Sequence, residues 1–328
     1  MRILFNLIGC SLGNNGGSLT LIKSANTLQE LGHKVIMVDS MKNQHTWTPL
    51  KVPHIICKSE KDIPTADFII ATGYKTWMHT LKLPDRCGRK FVWLRGWERW
   101  NASEEQMISV LSDDRIIKLA NGKGIQNRLK KYNINSFLVM PGNDFQDFYP
   151  MHKRDKNKVI LGGLYNTRHQ TKRSVWIINV AKRLKQKYNN IELYMFGANK
   201  NVNDAAIDVY YCQPTIEQKN IMFNKIDIFL APTSLEGLHI VPQEAMLTEC
   251  VVVGTDAELA GLDYITHEYS GLISSNNFAR FCKLSELLVV DEKLRLRLGL
   301  NARLAILARG DRKDNMKNFV KTIMENIK

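Results

Sequence analysis

At 328 residues the chain is too long for one comfortable α/β layer, and two domains of about 150 residues each are expected. Hydrophobic residues make up 44% of it, enough for folded cores, yet no apolar run approaches the roughly 18 to 20 residues that a bilayer crossing needs. The formal net charge of +14 would suit nucleic acid if it were clustered, but it divides evenly, +7 in residues 1–150 and +7 in the rest, and no nucleic-acid-binding motif accompanies it. Nucleic acid is therefore not an expected partner, whereas anionic lipid headgroups and polyanionic small molecules are compatible with such a surface.

In chain order, Met1 to Cys10 is broken by Asn6 and has no small-residue cleavage site, so it reads as a first strand, Ile3 to Ile8, and not as a leader. Gly9, Gly13, Gly16 and Gly17 follow as a glycine-rich loop, then an amphipathic helix from about Ser18 to Leu31, stopped by Gly32 as a left-handed cap, and a second strand at Val35 to Val38. The glycines do not fit G-x-G-x-x-G despite Asp39 at the end of that strand, which demotes a nicotinamide enzyme. Further strands are expected at Phe68 to Thr72, Phe91 to Leu94, Ile116 to Leu119 and Phe137 to Met140, with a helix from about Lys123 to Tyr132 that is basic on one face. Pro141 to Pro150 (PGNDFQDFYP) is a turn cluster, and Lys153 to Lys158 has the composition of an interdomain linker.

The pattern then restarts. A strand at Val159 to Leu161, a helix from about Arg173 to Tyr188 and a strand at Glu192 to Phe196 lead to Ile226 to Pro232 (IDIFLAP), an apolar β-branched run, and Val251 to Gly254 is another. The tail from about Asp311 to Ile327 reads as one amphipathic helix. Two Rossmann-like domains are expected, spanning residues 1–150 and 151–310, followed by the helix 311–328. Six cysteines, at positions 10, 57, 87, 212, 250 and 282, show no Cys-x-x-Cys or metal spacing, which points to a reducing cytosol.

The most informative segment lies between two of these strands: Glu-Gly-Leu-His-Ile-Val-Pro-Gln-Glu at residues 236–244, with Pro242 suited to the first turn of a helix. Helix N-termini expose unpaired N–H groups, and open α/β sheets bind ligands at the carboxyl ends of their strands. Amides at Leu238, His239, Ile240 and Val241 could then cradle a diphosphate, Glu244 accept from a ribose diol, and Glu236 reach sugar hydroxyls. In isolation the same glutamates would read as a helix-stabilising acid and a solvated loop charge.

The flanking residues decide between these. Ala231 to Met246 (APTSLEGLHIVPQEAM) closely resembles the signature of the family four retaining glycosyltransferases of GT-B fold: Pro-Ser or Pro-Thr, Glu-Gly, a short loop, Glu-Ala-Met. The resemblance implies an N-terminal acceptor domain and a C-terminal nucleotide-sugar donor domain facing each other across a cleft, with the last helix crossing back to the first domain. It implies binding roles for Glu236, for Gly237, Leu238, His239, Ile240 and Val241, and for Glu244, and retention with the donor's own phosphate oxygen taking the acceptor proton. Gly162 to Arg173 (GGLYNTRHQTKR) resembles the segment that carries an Arg and a Lys for the phosphates, but the usual Arg is here Gly163, leaving Arg168, Lys172 and Arg173 as candidates, with Arg168 and Lys172 favoured. Gly16 and Gly17 resemble the family's Gly-Gly loop, where glycine would permit a positive φ and close backbone approach. Phe91 to Asn101 (FVWLRGWERWN) resembles an acceptor-facing segment, with Glu98 as a catalytic candidate and Trp97 as a stacking platform; His79 also lies near an expected loop.

No Asp-x-Asp triplet offers a metal site, so no cofactor is expected and activity should survive EDTA. The implied reaction moves a sugar from a nucleotide diphosphate sugar to a glycan, glycolipid or other surface polysaccharide acceptor. A non-catalytic sugar-nucleotide-binding subunit is the main alternative, favoured by Gly163; an epimerase or phosphorylase on the same fold is another. The basic helix near Lys123 adds an anionic membrane surface as an expected peripheral contact. Base contacts are expected to be largely backbone ones, near segments such as Tyr211 to Thr215.

Overall fold

The computed structural model describes residues 1–151, 157–260 and 263–326; the expected linker at Lys153 to Lys158 lies mostly outside the described residues, as does Ile327. The chain divides into two compact units, one made of Met1–Gly142 with Arg312–Lys328, the other of Asn143–Asp311.

In the first unit β1 (Arg2–Asn6), α1 (Gly16–Glu30), β2 (Lys34–Asp39), β3 (His54–Ile56), β4 (Phe68–Ala71), α2 (Tyr74–Lys82), β5 (Arg89–Leu94), α3 (Glu104–Leu111), β6 (Ile117–Ala120), α4 (Lys123–Lys130) and β7 (Phe137–Leu138) form a wholly parallel sheet in the order β3-β2-β1-β4-β5-β6-β7. Covered on both faces, its central strands are continuous apolar runs: every residue of Phe-Ile-Ile-Ala in β4 is buried. Asn15 starts α1 by accepting from the Ser18 amide at 2.8 Å, and Gly32 closes its far end at φ +89°. This cap corrects the expected start at Ser18. Gly16 and Gly17 are the first two helical residues and neither has a positive φ; the loop's left-handed glycine is Gly9, at φ +90°.

The second unit repeats the plan. Its strands and helices are β8 (Val159–Tyr165), α5 (Ser174–Lys187), β9 (Ile191–Gly197), β10 (Val209–Cys212), α6 (Ile216–Lys225), β11 (Ile228–Ala231), β12 (Leu235–Glu236), α7 (Ile240–Leu247), β13 (Val251–Gly254), β14 (Glu258–Leu259), β15 (Leu272–Ile273), α8 (Phe278–Val290) and α9 (Glu292–Leu307). The main sheet runs β10-β9-β8-β11-β13-β15 in order, and β12 pairs with β14 in a short separate ladder. Each sheet thus reverses its winding once, between β1 and β4 in the first unit and between β8 and β11 in the second, which is where open α/β sheets bind ligands.

The last helix, α10 (Arg312–Glu325), belongs to the first unit. Met316, Phe319 and Ile323 are fully buried in its core, and the Phe319 ring lies 5.1 Å from Trp93 and 6.5 Å from Phe5. Among the described residues no helix is long and apolar enough to cross a membrane.

Candidate functional site

Two loops of the second unit leave the sheet at its switch point. The one after β8 is folded by Asn166, whose Oδ1 accepts from the amides of Arg168 and His169 at 3.1 Å each, and it ends at Arg173 in the left-handed region, φ 50°, ahead of α5. The one after β11 is tied to it, the Ser234 amide donating to the Thr171 carbonyl at 2.9 Å, and the β12–β14 ladder holds Glu236 extended. The Lys172 ammonium is ion-paired with the Glu236 carboxylate there, with side chains 23% and 18% exposed. Burial pushes Lys172 down to about 8.

His239 precedes α7 at φ 56°, a left-handed conformation that a non-glycine residue adopts only when its surroundings hold it. Those surroundings are visible: ring Nδ1 lies 2.9 Å from the Tyr264 hydroxyl and Nε2 lies 3.2 Å from Thr233 Oγ1. Burial, with a smaller contribution from Lys172, holds the imidazole well below its ordinary range, so it is neutral. Its ring carries no charge to a ligand. Gln243, itself buried, donates to the Leu238 carbonyl at 2.7 Å and the His239 carbonyl at 3.3 Å, and Asn143 donates to Gln243 Oε1 at 3.1 Å. With its carbonyls pinned inward, the turn leaves the first amides of α7 as donors without an i−4 carbonyl. Unpaired amides at a helix N-terminus are the kind of donors that can bind an anion.

Glu244, one turn into α7, pairs with Lys219 of α6 at 2.5 Å, with side chains 10% and 13% exposed. The Lys219 ammonium also lies 5.1 Å from the Phe148 ring and 5.8 Å from both Phe196 and Phe223. A cation caged by three rings and one carboxylate is fixed in place, and it fixes the carboxylate.

The other expected residues are dispersed. Arg168 is on the exposed part of the first loop, and its guanidinium has no partner among the described residues. Arg173 is turned to Asn276 and stacks 4.7 Å over Trp176, away from the Lys172–Glu236 pair. Gly163 is tightly enclosed: a Cβ there would lie 2.6 Å from Ile177 Cδ1 and 3.2 Å from the Leu230 carbonyl, so Ile177 would have to shift. Overpacking of this kind typically costs about 1–3 kcal/mol, so Gly163→Ala should destabilise the protein by that order in urea unfolding, whereas an unchanged midpoint would mean that α5 yields.

In the first unit, Glu98 accepts from the Tyr74 amide at the start of α2 at 3.2 Å and from Asn101 Nδ2 at 2.7 Å. Trp97 corrects the expectation of a stacking platform: its indole is 1% exposed and covered by the Arg128 guanidinium at 5.5 Å. His79 lies in the last turn of α2, against Asn6 at 3.0 Å. The residues that sequence reasoning missed are Lys219, Tyr264, Thr233, Gln243 and Asn143; the last three lay in segments singled out beforehand, whereas Lys219 and Tyr264 did not.

Residues 156–288 match the family described as Glycosyl transferases group 1. No curated protein sequence matches the chain. Solved structures similar over 99% of this chain include HepE of Anabaena in complex with UDP (14% identity, TM-score 0.78, 100% of that chain), a glycosyltransferase from Rickettsia africae ESF-5 (13%, 0.77, 98%) and sucrose-phosphate synthase from Thermosynechococcus elongatus (12%, 0.76, 98%). The fold is GT-B.

Proposed function

We propose that the protein is a retaining, metal-independent glycosyltransferase that moves a sugar from a nucleotide diphosphate sugar to a glycan, glycolipid or other surface polysaccharide acceptor. The observation that carries this reading is the Lys172–Glu236 pair set beside the open N-terminus of α7 at the switch point of the second sheet. Cleaving the anomeric bond leaves a diphosphate of growing negative charge, and a half-buried ammonium with the α7 amides answers that charge without a metal ion. Glu236 accepts from donor sugar hydroxyls, Glu244 from the ribose diol, and Arg168 adds a second positive group to the phosphates. The donor's own phosphate oxygen takes the acceptor proton on the face it leaves, which gives retention. The second unit binds the donor and the first the acceptor, on the cytoplasmic side of a membrane that the basic α4 surface touches.

The match of residues 156–288, and solved relatives such as HepE with bound UDP, support the donor class. Gly163, standing where the resembled segment usually carries an arginine, favours the second reading, a binding subunit without turnover. A panel of nucleotide sugars in EDTA separates the two: nucleotide release lost in Glu236→Ala supports the transferase, and no release from any donor supports the subunit. Proton NMR of the first product reads its anomeric configuration, which retention predicts to match the donor's.

The reaction needs Lys172 as ammonium, and burial brings its pKa to about 8. Below that pH the cation is present, and above it the amine is neutral. The expected kcat/KM is flat to about pH 7 and falls about tenfold per unit well above 8. A profile still flat at pH 10 would contradict this role.

A further inference from the structure

At the carboxyl edge of the first unit's sheet two buried polar atoms lack partners. Leu94 of β5 pairs with Ala120 of β6, so Arg95 and Asn121 leave the sheet side by side. Asn121 is 4% exposed; its Nδ2 donates to the Arg95 carbonyl at 3.3 Å, while its Oδ1 has no hydrogen-bond partner. Arg95 Nε is likewise sealed from solvent and unpaired. Among the described residues nothing accepts a hydrogen bond from this guanidinium, which lies 5.8 Å from the Trp93 ring.

The surroundings sharpen the anomaly. Burial and the Arg312 guanidinium push Arg95 down to about 10, against weaker opposing effects of Cys10 and Glu98. Arg312 is itself 6% exposed and donates to Ser24 Oγ and the Pro141 carbonyl. Glu98 spends its carboxylate on the Tyr74 amide and Asn101. A buried donor and a buried acceptor left open at the ends of neighbouring strands, in a field of two guanidinium groups, call for a ligand that brings negative charge.

We propose that Arg95 and Asn121 form an oxyanion subsite, with a phosphate, sulfate or carboxylate against the guanidinium and a neighbouring hydroxyl donating to Asn121 Oδ1. The planar fork of an arginine matches an oxyanion's paired oxygens, and the open amide oxygen can only accept. The anion has two chemical sources, a charged group carried on a sugar or polyol, or free inorganic phosphate. The subsite stands on the first unit alone and does not depend on the donor site proposed above.

Calorimetry with inorganic phosphate, glucose 6-phosphate and glucose tests it on the full chain and on Arg95→Met, Arg95→Lys and Asn121→Asp. Anion binding by the wild type, weakened at least tenfold in Arg95→Met and partly kept in Arg95→Lys, is expected, with no binding of glucose. Asn121→Asp is nearly isosteric but adds a negative charge and gives up the Nδ2 bond to the Arg95 carbonyl, so it should expel the anion, with thermal melts as the control for folding. Glucose 6-phosphate at least tenfold tighter than phosphate assigns the anion to a hydroxyl-bearing carrier; equal affinities assign it to the free ion. No anion binding by the wild type, or an affinity unchanged in Arg95→Met or in Asn121→Asp, overturns the subsite.

Discussion

Lys172→Met is expected to lower kcat/KM for the nucleotide sugar by about 10²- to 10³-fold, the loss typical when one preorganised group is removed from a developing oxyanion. Lys172 stands against Glu236 with each side chain less than a quarter exposed, so its charge is poorly screened. Most of the loss should fall on kcat, because the diphosphate gains charge in the transition state. Lys172→Arg should recover part of the rate. Glu236→Gln tests the other half of the pair: an amide still accepts one hydrogen bond from a sugar hydroxyl but offers Lys172 no charge, and a loss on kcat as well as KM is expected. A loss confined to KM in both variants would make the pair a ground-state binding element only. Thermal melts control for folding.

The second large effect concerns Glu244. Lys219→Met leaves a carboxylate buried without its cation, a change that costs about 3–5 kcal/mol of stability when a buried pair is broken. Urea unfolding should show that loss. Nucleoside diphosphate affinity should fall at least tenfold with it, because Glu244 is no longer held toward a ribose. The double variant Lys219→Met/Glu244→Gln removes both charges and should recover most of the stability, since a buried pair replaced whole is often close to neutral, without recovering nucleotide affinity. A further signature is selectivity. The wild type should prefer a nucleoside diphosphate over its 2′-deoxy analogue, and the double variant should not. If the double variant binds nucleotide like the wild type, Glu244 is structural.

Much of the fold was legible because its strands are short apolar runs, such as Val251 to Gly254, buried on both faces between helices. β3 and β10 escaped because they lie at sheet edges with mostly half-exposed residues, where the apolar signal fades. α6 carries buried Asn220 and Asn224 on its inner face, and α9 sets Leu296, Leu300 and Leu304 outward, so neither presents a clean stripe. At the site, Glu236 and Glu244 could be named as candidates because Ala231 to Met246, one loop and one helix, resembles a family signature. Lys219 could not, because its pairing depends on how α6 lies on α7, and its three aromatic neighbours come from three separated segments. Trp97 misled for a related reason: an indole at a strand's end looks like a platform, but burying its large apolar surface prevailed.

Calorimetric titration of UDP, GDP, ADP, CDP and dTDP in EDTA, on the wild type and on Glu244→Ala, tests the central claim most directly. The account predicts tight binding of one nucleotide without metal, lost in the variant. Binding of none of the five, or equal binding by the variant, would contradict a donor site at the start of α7.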